Sequence, residues 1–215
     1  MDEHIDITWF GHSCFLLAAS GGVRILMDPF DEEVGYAVPR VSADLVTVSH
    51  DHFDHNNTKA AVGTPKVLRG AGEWNVGGVR IRGVSTHHDD VGGAKRGPNT
   101  VFVIESDGLV VCHMGDIGHV PCDDVASDIG EVDVLMVPVG GTYTLDADGA
   151  AAAAKKLSAR IVIPMHYWTA GSSVKVAGVE PFLAKMASVS VASNRVLRVT
   201  PSELPDKQTA VVLSF

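Results

Sequence analysis

No stretch of this 215-residue chain stays apolar for the length that a bilayer-spanning helix needs. The start, Met1-Asp2-Glu3-His4, is acidic, whereas a secretory leader opens basic and continues apolar. A soluble, cytoplasmic protein is therefore expected. Cysteine is scarce: Cys14, Cys112 and Cys122 cannot all pair and show no CxxC spacing, which suits a reducing compartment and small core side chains. Basic residues are outnumbered, 17 Lys and Arg against 26 Asp and Glu. The resulting charge of −9 opposes a broad footprint on a phosphate backbone, although a local basic patch could still grip a small anion. No low-complexity linker interrupts residues 1–215, so one domain is expected, with 46% hydrophobic residues to build its core.

Histidine, by contrast, is plentiful. There are ten, most of them at the ends of apolar runs. The densest stretch, SHDHFDH at residues 49–55, follows Leu45-Val46-Thr47-Val48. On a strand His50 and His52 face one way and can hold one ion, while a turn after Phe53 lets Asp54 and His55 reach a second. A solvated loop with accidental histidines explains this poorly, because no turn chemistry asks for three imidazoles in six positions.

Hairpins dominate the first half. Ile5 to Phe10 and Cys14 to Ala18 read as strands, with Gly21-Gly22 turning the chain into Val23 to Met27. Gly77-Gly78 joins Glu73–Val76 to Val79–Val84, and Asp107-Gly108 joins Val101–Ser106 to Leu109–Cys112. The second half mixes helix and strand: Asp146 to Leu157 and Val179 to Ala187 read as helices, Arg160–Pro164, Arg195–Thr200 and Thr209–Leu213 as strands. Sheets packed face to face with helices outside, an α/β sandwich, follow from that mixture. Four apolar runs lead into ligand-type residues: His50 to His55, His87-His88-Asp89, His113 with Asp116, and His166. Loops at one edge of a sandwich converge, so these residues can meet in one cleft.

GHSCF, ILMDPF, SHDHFDHN, HHDDVGGAKRGPNT, CHMGDIGH, PVGGTYT and IVIPMHY resemble the metallo-β-lactamase superfamily over nearly the whole chain. Within it they look like the small stand-alone hydrolases similar to ascorbate-phosphate lactonases and, more distantly, to the phospholipase D that cleaves N-acyl phosphatidylethanolamine. The resemblance implies a four-layer αββα sandwich with two divalent ions between the sheets, zinc favoured and manganese, iron, nickel or cobalt compatible. It makes His50, His52 and His88 ligands of one ion, Asp54, His55 and His166 ligands of the other, and Asp116 the bridge. The preference for His88 over His87 rests on its place before Asp89; spacing alone leaves both open. Asp28 resembles the superfamily's supporting acid behind the ligands, and the family pattern places His12 and His119 near the site.

The implied chemistry is attack by a hydroxide shared between the ions on a small ester, lactone or phosphodiester, with Asp54 as proton acceptor and orienter; His113, three residues before Asp116, is a further catalytic candidate that could stabilise an oxyanion, with support behind the ligands or a purely structural role left open beside it. Arg96, Asn99 and Tyr143 are the expected substrate contacts, and Lys95-Arg96 could dock an anionic group. A glutamate of the oxygen-reducing di-iron branch is replaced by His52, and a cysteine frequent in true β-lactamases by Asp116. Two other readings are a nuclease or cyclic-nucleotide phosphodiesterase, and a non-catalytic scaffold that metal stabilises. A homo-oligomer is compatible with all of them.

Overall fold

Ile5–Gly11 and Cys14–Ala19 pair antiparallel across His12-Ser13, and Arg24–Met27 returns beside them. Leu45–Val48 and Lys66–Arg69 extend this sheet in parallel, and Val196–Val199 closes its other edge, giving six strands. The second sheet has eight strands in the spatial order Val189–Val191, Thr209–Val212, Ile161–Met165, Val134–Pro138, Leu109–His113, Pro98–Ser106, Val79–His87 and Gly72–Val76. This is a computed structural model, and it describes residues 3–214. The acidic start at Met1-Asp2 lies outside the described residues.

Side-chain alternation decides how the sheets stack. On Cys14–Ala19, Phe15 and Leu17 enter the large core to which both sheets contribute, while Cys14 and Leu16 face a smaller cluster with Phe30, Val34 and Tyr36. Phe15, Leu17 and Met27 are each 0% exposed. Burying each such side chain contributes about 1.5–3 kcal/mol. The Ala147–Lys156 helix starts where the Asp146 carboxylate accepts from the Gly149 amide, ends on Lys155 and Lys156, and turns Ala150, Ala153 and Ala154 inward. It packs on Val134–Pro138, and the short Asp123–Ile129 helix packs on Val79–His87. The outer face of the six-stranded sheet is covered instead by 3-10 turns at Glu32–Val34 and Thr58–Ala60, which contribute Val34 and Ala60 to the smaller cluster.

The expected α/β sandwich is therefore present. The helix expected over Val179 to Ala187 shrinks to Glu180–Leu183, because the chain tightens into Lys185–Phe182 and Met186–Leu183 turns and leaves for the edge strand at Val189. Among the described residues no helix is long and apolar enough to cross a membrane.

Candidate metal centre

Four strand ends bring the cluster together. Past Leu45–Val48 the chain turns so that the His55 amide donates to the His52 carbonyl, sending His50 and His52 to one group of ligand-type side chains and Asp54 and His55 to another. His88 follows Val79–His87, with its amide bonded to Gly97, and Asp116 follows Leu109–His113. His166 follows Ile161–Met165 and donates its amide to the His12 carbonyl. His12, Asp28 and His166 all hold left-handed backbone, φ 50°, 43° and 51°. For a non-glycine residue that costs about 1–3 kcal/mol each, strain that tends to gather where geometry serves function.

Two groups of ligand-type atoms converge, His50 with His52 and His88, and His12 with Asp54, His55 and His166. Asp116 joins them. Its Oδ2 lies 3.1 Å from His166 Nε2, 3.2 Å from His55 Nε2, 3.3 Å from His88 Nε2 and 3.9 Å from His50 Nε2. Asp54 Oδ2 is 3.5 Å from His55 Nε2 and 3.0 Å from His12 Nε2. The cluster is buried apart from His52, which opens to solvent at the floor of a cleft of about 630 Å³.

The far sides of the His50 and His55 rings are braced. Asp28, 0% exposed, accepts from the Ser49 amide at 2.8 Å, from the Ser49 hydroxyl, and from His55 Nδ1 at 2.8 Å. The same hydroxyl sits 2.9 Å from His50 Nδ1. One carboxylate thus orients a histidine in each group, His55 directly and His50 through Ser49. The inner atoms His50 Nε2, His55 Nε2 and Asp116 Oδ1 are buried with no hydrogen-bond partner among the described residues. Imidazoles held by Nδ1 with Nε2 left bare are arranged as ligating histidines are, so the donor set fits divalent cations. Ser49 was not singled out by the sequence. We expect Ser49→Ala to weaken metal binding about tenfold or more, read by competition with a chromogenic chelator; unchanged affinity would remove the brace from the account.

Charge in the pocket is consistent with that fit. Burial lowers His50 to about 3 and His12 to about 4, so both stay neutral near pH 7. Burial alone would raise Asp54 and Asp116, yet neighbouring imidazoles, His55 beside Asp54 and His166 with His55 beside Asp116, hold both carboxyls well below the usual range. Burial opposes the charged form of His55 too, but Asp116 and Asp54 hold its affinity for a proton well above normal. These carboxylates call for positive charge among them.

Of the two adjacent histidines, His88 reaches the cluster, whereas His87 is exposed and its ring lies 6.0 Å from that of His119. His119 is accordingly beside the cluster rather than in it, its Nδ1 directed at the Val120 carbonyl. Two expectations are corrected. His113 ends a strand and is 0% exposed, with Nε2 on the Ser13 carbonyl and Nδ1 taking the Gly115 amide, so neither nitrogen is offered to the cleft. Asn99 does not face the cleft either: its amide donates to Thr86 and Met114, and its oxygen accepts from the Asp116 amide, holding the turn that carries Asp116. That turn fits because residue 115 is glycine; a Cβ there would lie 2.4 Å from Asn99 Oδ1. Arg96 and Tyr143 do line the cleft, with Lys95, Lys175, Glu33 and Phe53. The Asp89 carboxylate accepts from the amides of Val91, Gly93, Lys95 and Arg96 at 2.8–2.9 Å, pinning the loop that presents two of these cations.

Comparison with known proteins adds four likenesses. Residues 6–166 match the family described as the β-lactamase superfamily domain. A UPF0173 metal-dependent hydrolase of Thermoplasma acidophilum is 33% identical over 193 residues, 78% of this chain and 85% of that protein. Another, from Nitratidesulfovibrio vulgaris, is 34% identical over 196 residues, 76% of this chain and 80% of its own length. The crystal structure of a proposed Zn-dependent hydrolase of the metallo-β-lactamase superfamily from Thermotoga maritima superposes with a TM-score of 0.82 at 40% identity, covering 97% of this chain and 98% of that one.

Proposed function

The chain belongs to the β-lactamase superfamily, among its metal-dependent hydrolases, and on that footing we propose that it uses two divalent ions, zinc by preference, to cleave a small ester, lactone or phosphodiester. His50, His52 and His88 would hold one ion, Asp54, His55 and His166 the other, and Asp116 would be shared. The observation that carries this reading is the single oxygen, Asp116 Oδ2, lying within 3.1–3.9 Å of imidazole nitrogens drawn from both groups. Residues 1–215 are read as one such domain, since both sheets feed one core. The three free cysteines support a cytoplasmic setting.

When bound, a pair of divalent ions activates water near neutral pH and polarises the oxygen of the scissile group. Everything else falls to the chain. Asp54, held by His12 at 3.0 Å, would orient the attacking water and accept its proton. Asp28 and Ser49 fix the tautomers of His55 and His50. Phe53 and Tyr143 wall the cleft.

Elemental analysis is expected to find two ions per chain. Chelation should abolish hydrolysis of at least one of a generic ester, a lactone and bis-para-nitrophenyl phosphate, and zinc should restore it. Well below one ion per chain after zinc is offered would overturn the metal centre. A fully loaded chain inactive on all three would make it a scaffold.

A further inference from the structure

Above its histidine and aspartate floor, the wall of the cleft carries a charge opposite to that of the chain. The protein as a whole is −9, yet around the histidine and aspartate floor the wall gathers Lys95, Arg96 and Lys175 against the single carboxylate of Glu33. Low-dielectric walls focus such a local field. These cations are also largely unspent. Arg96 donates to the Thr142 carbonyl at 3.3 Å and lies 5.4 Å over the Tyr143 ring. Of the five N–H donors a guanidinium offers, one is thus engaged among the described residues. Lys95 has only a loose pairing with Asp90, at 3.9 Å between exposed side chains.

Their position is built rather than incidental. Gly92, Gly93 and Gly97 hold left-handed backbone, φ 70°, 83° and 86°, which lets the loop curl its amides around the Asp89 carboxylate. The Tyr143 ring and Thr142 carbonyl then fix the guanidinium from across the cleft. Beside this charge the wall is apolar: Phe53 is 46% exposed and Tyr143 41% exposed, and both line the cleft with Val174.

We propose that the cleft mouth is an anion-docking point, in which Arg96, aided by Lys95 and Lys175, grips a carboxylate or phosphate of the substrate while Phe53, Tyr143 and Val174 cover an adjoining apolar segment. This rests on the hydrolase reading and narrows it to substrates with a fixed negative group away from the bond that is cut. A planar guanidinium with free donors suits the two oxygens of either anion.

The test uses metal-loaded protein and two readouts. The first compares mono-para-nitrophenyl esters of succinic, glutaric and adipic acids with neutral acyl esters of matched length. The parent is expected to prefer the anionic series. In Arg96→Ala the ratio of kcat/KM for anionic over neutral esters should fall tenfold or more, and in Lys175→Ala severalfold. Arg198→Ala, paired with Asp6 outside the cleft lining, should keep the ratio. A ratio in Arg96→Ala within twofold of the parent overturns the proposal. The second readout is calorimetric titration with succinate and, separately, inorganic phosphate, whose relative affinities identify the anion preferred. Binding to Arg96→Ala that is tenfold weaker for one of them supports the docking point. Equal binding of both to parent and variant refutes it. If no ester, lactone or bis-para-nitrophenyl phosphate is cut, the hydrolase reading falls while titration still decides the docking point.

Discussion

Replacing Asp116 by alanine is expected to lower kcat/KM on the order of a thousandfold and to leave the chain with fewer than two ions. Loss of a residue that merely supports a ligand costs about 10–100-fold, and the proposed role of Asp116 as a shared ligand makes the expected loss larger. Its Oδ2 stands 3.1–3.3 Å from His166, His55 and His88 Nε2, so it is the one atom that both groups share. Asp116→Ala removes the carboxylate that lies among His50, His55, His88 and His166 and leaves imidazoles facing one another. Asp116→Asn is the sharper variant, because it keeps the shape while losing the charge. Elemental analysis and a steady-state assay on the same preparation check the prediction. An alanine variant with two ions and activity within tenfold of the parent would sink the bridging role.

The second large effect concerns stability. Asp28→Asn is expected to lower the melting temperature of the metal-free chain by about 10 °C, and Asp28→Ala by more. The carboxylate is fully buried and accepts from the Ser49 amide, the Ser49 hydroxyl and His55 Nδ1. Removing it strands buried donors, a loss of roughly 3–5 kcal/mol for a broken buried charge network. Asparagine can accept from the Ser49 amide but turns an N–H group toward another donor. Melting followed by circular dichroism gives the answer, and an asparagine variant within 2 °C of the parent, roughly 1 kcal/mol for a chain of this size, would contradict it.

Much of this arrangement was legible in the residues. The hairpin turns at Gly77-Gly78 and Asp107-Gly108 left little doubt about pairing, and the strands they join agree with expectation to within a few residues. Four apolar runs ending in His or Asp pointed to one mouth, because strand direction and chain order survive in sequence. What was missed depends on distance in space. Ser49 reads as a linker residue until Asp28, 21 positions away, is folded against it. Lys175 sits in a stretch with no motif, yet its loop reaches the cleft wall. His113 looked catalytic from its place three residues before Asp116, but inclusion in the strand directs both ring nitrogens to backbone. Val134–Pro138, an apolar run bounded by Asp133 and Val139-Gly140, was not assigned, since periodicity cannot separate a buried strand from a buried helix.

The forked brace behind the cluster also bears on how the protein fills. One acid steadies His55 and, through Ser49, His50, so the orientations of the two rings are tied to each other. If two ions bind as proposed, the shared brace couples their sites, and reciprocity requires that each change the affinity of the other by the same factor.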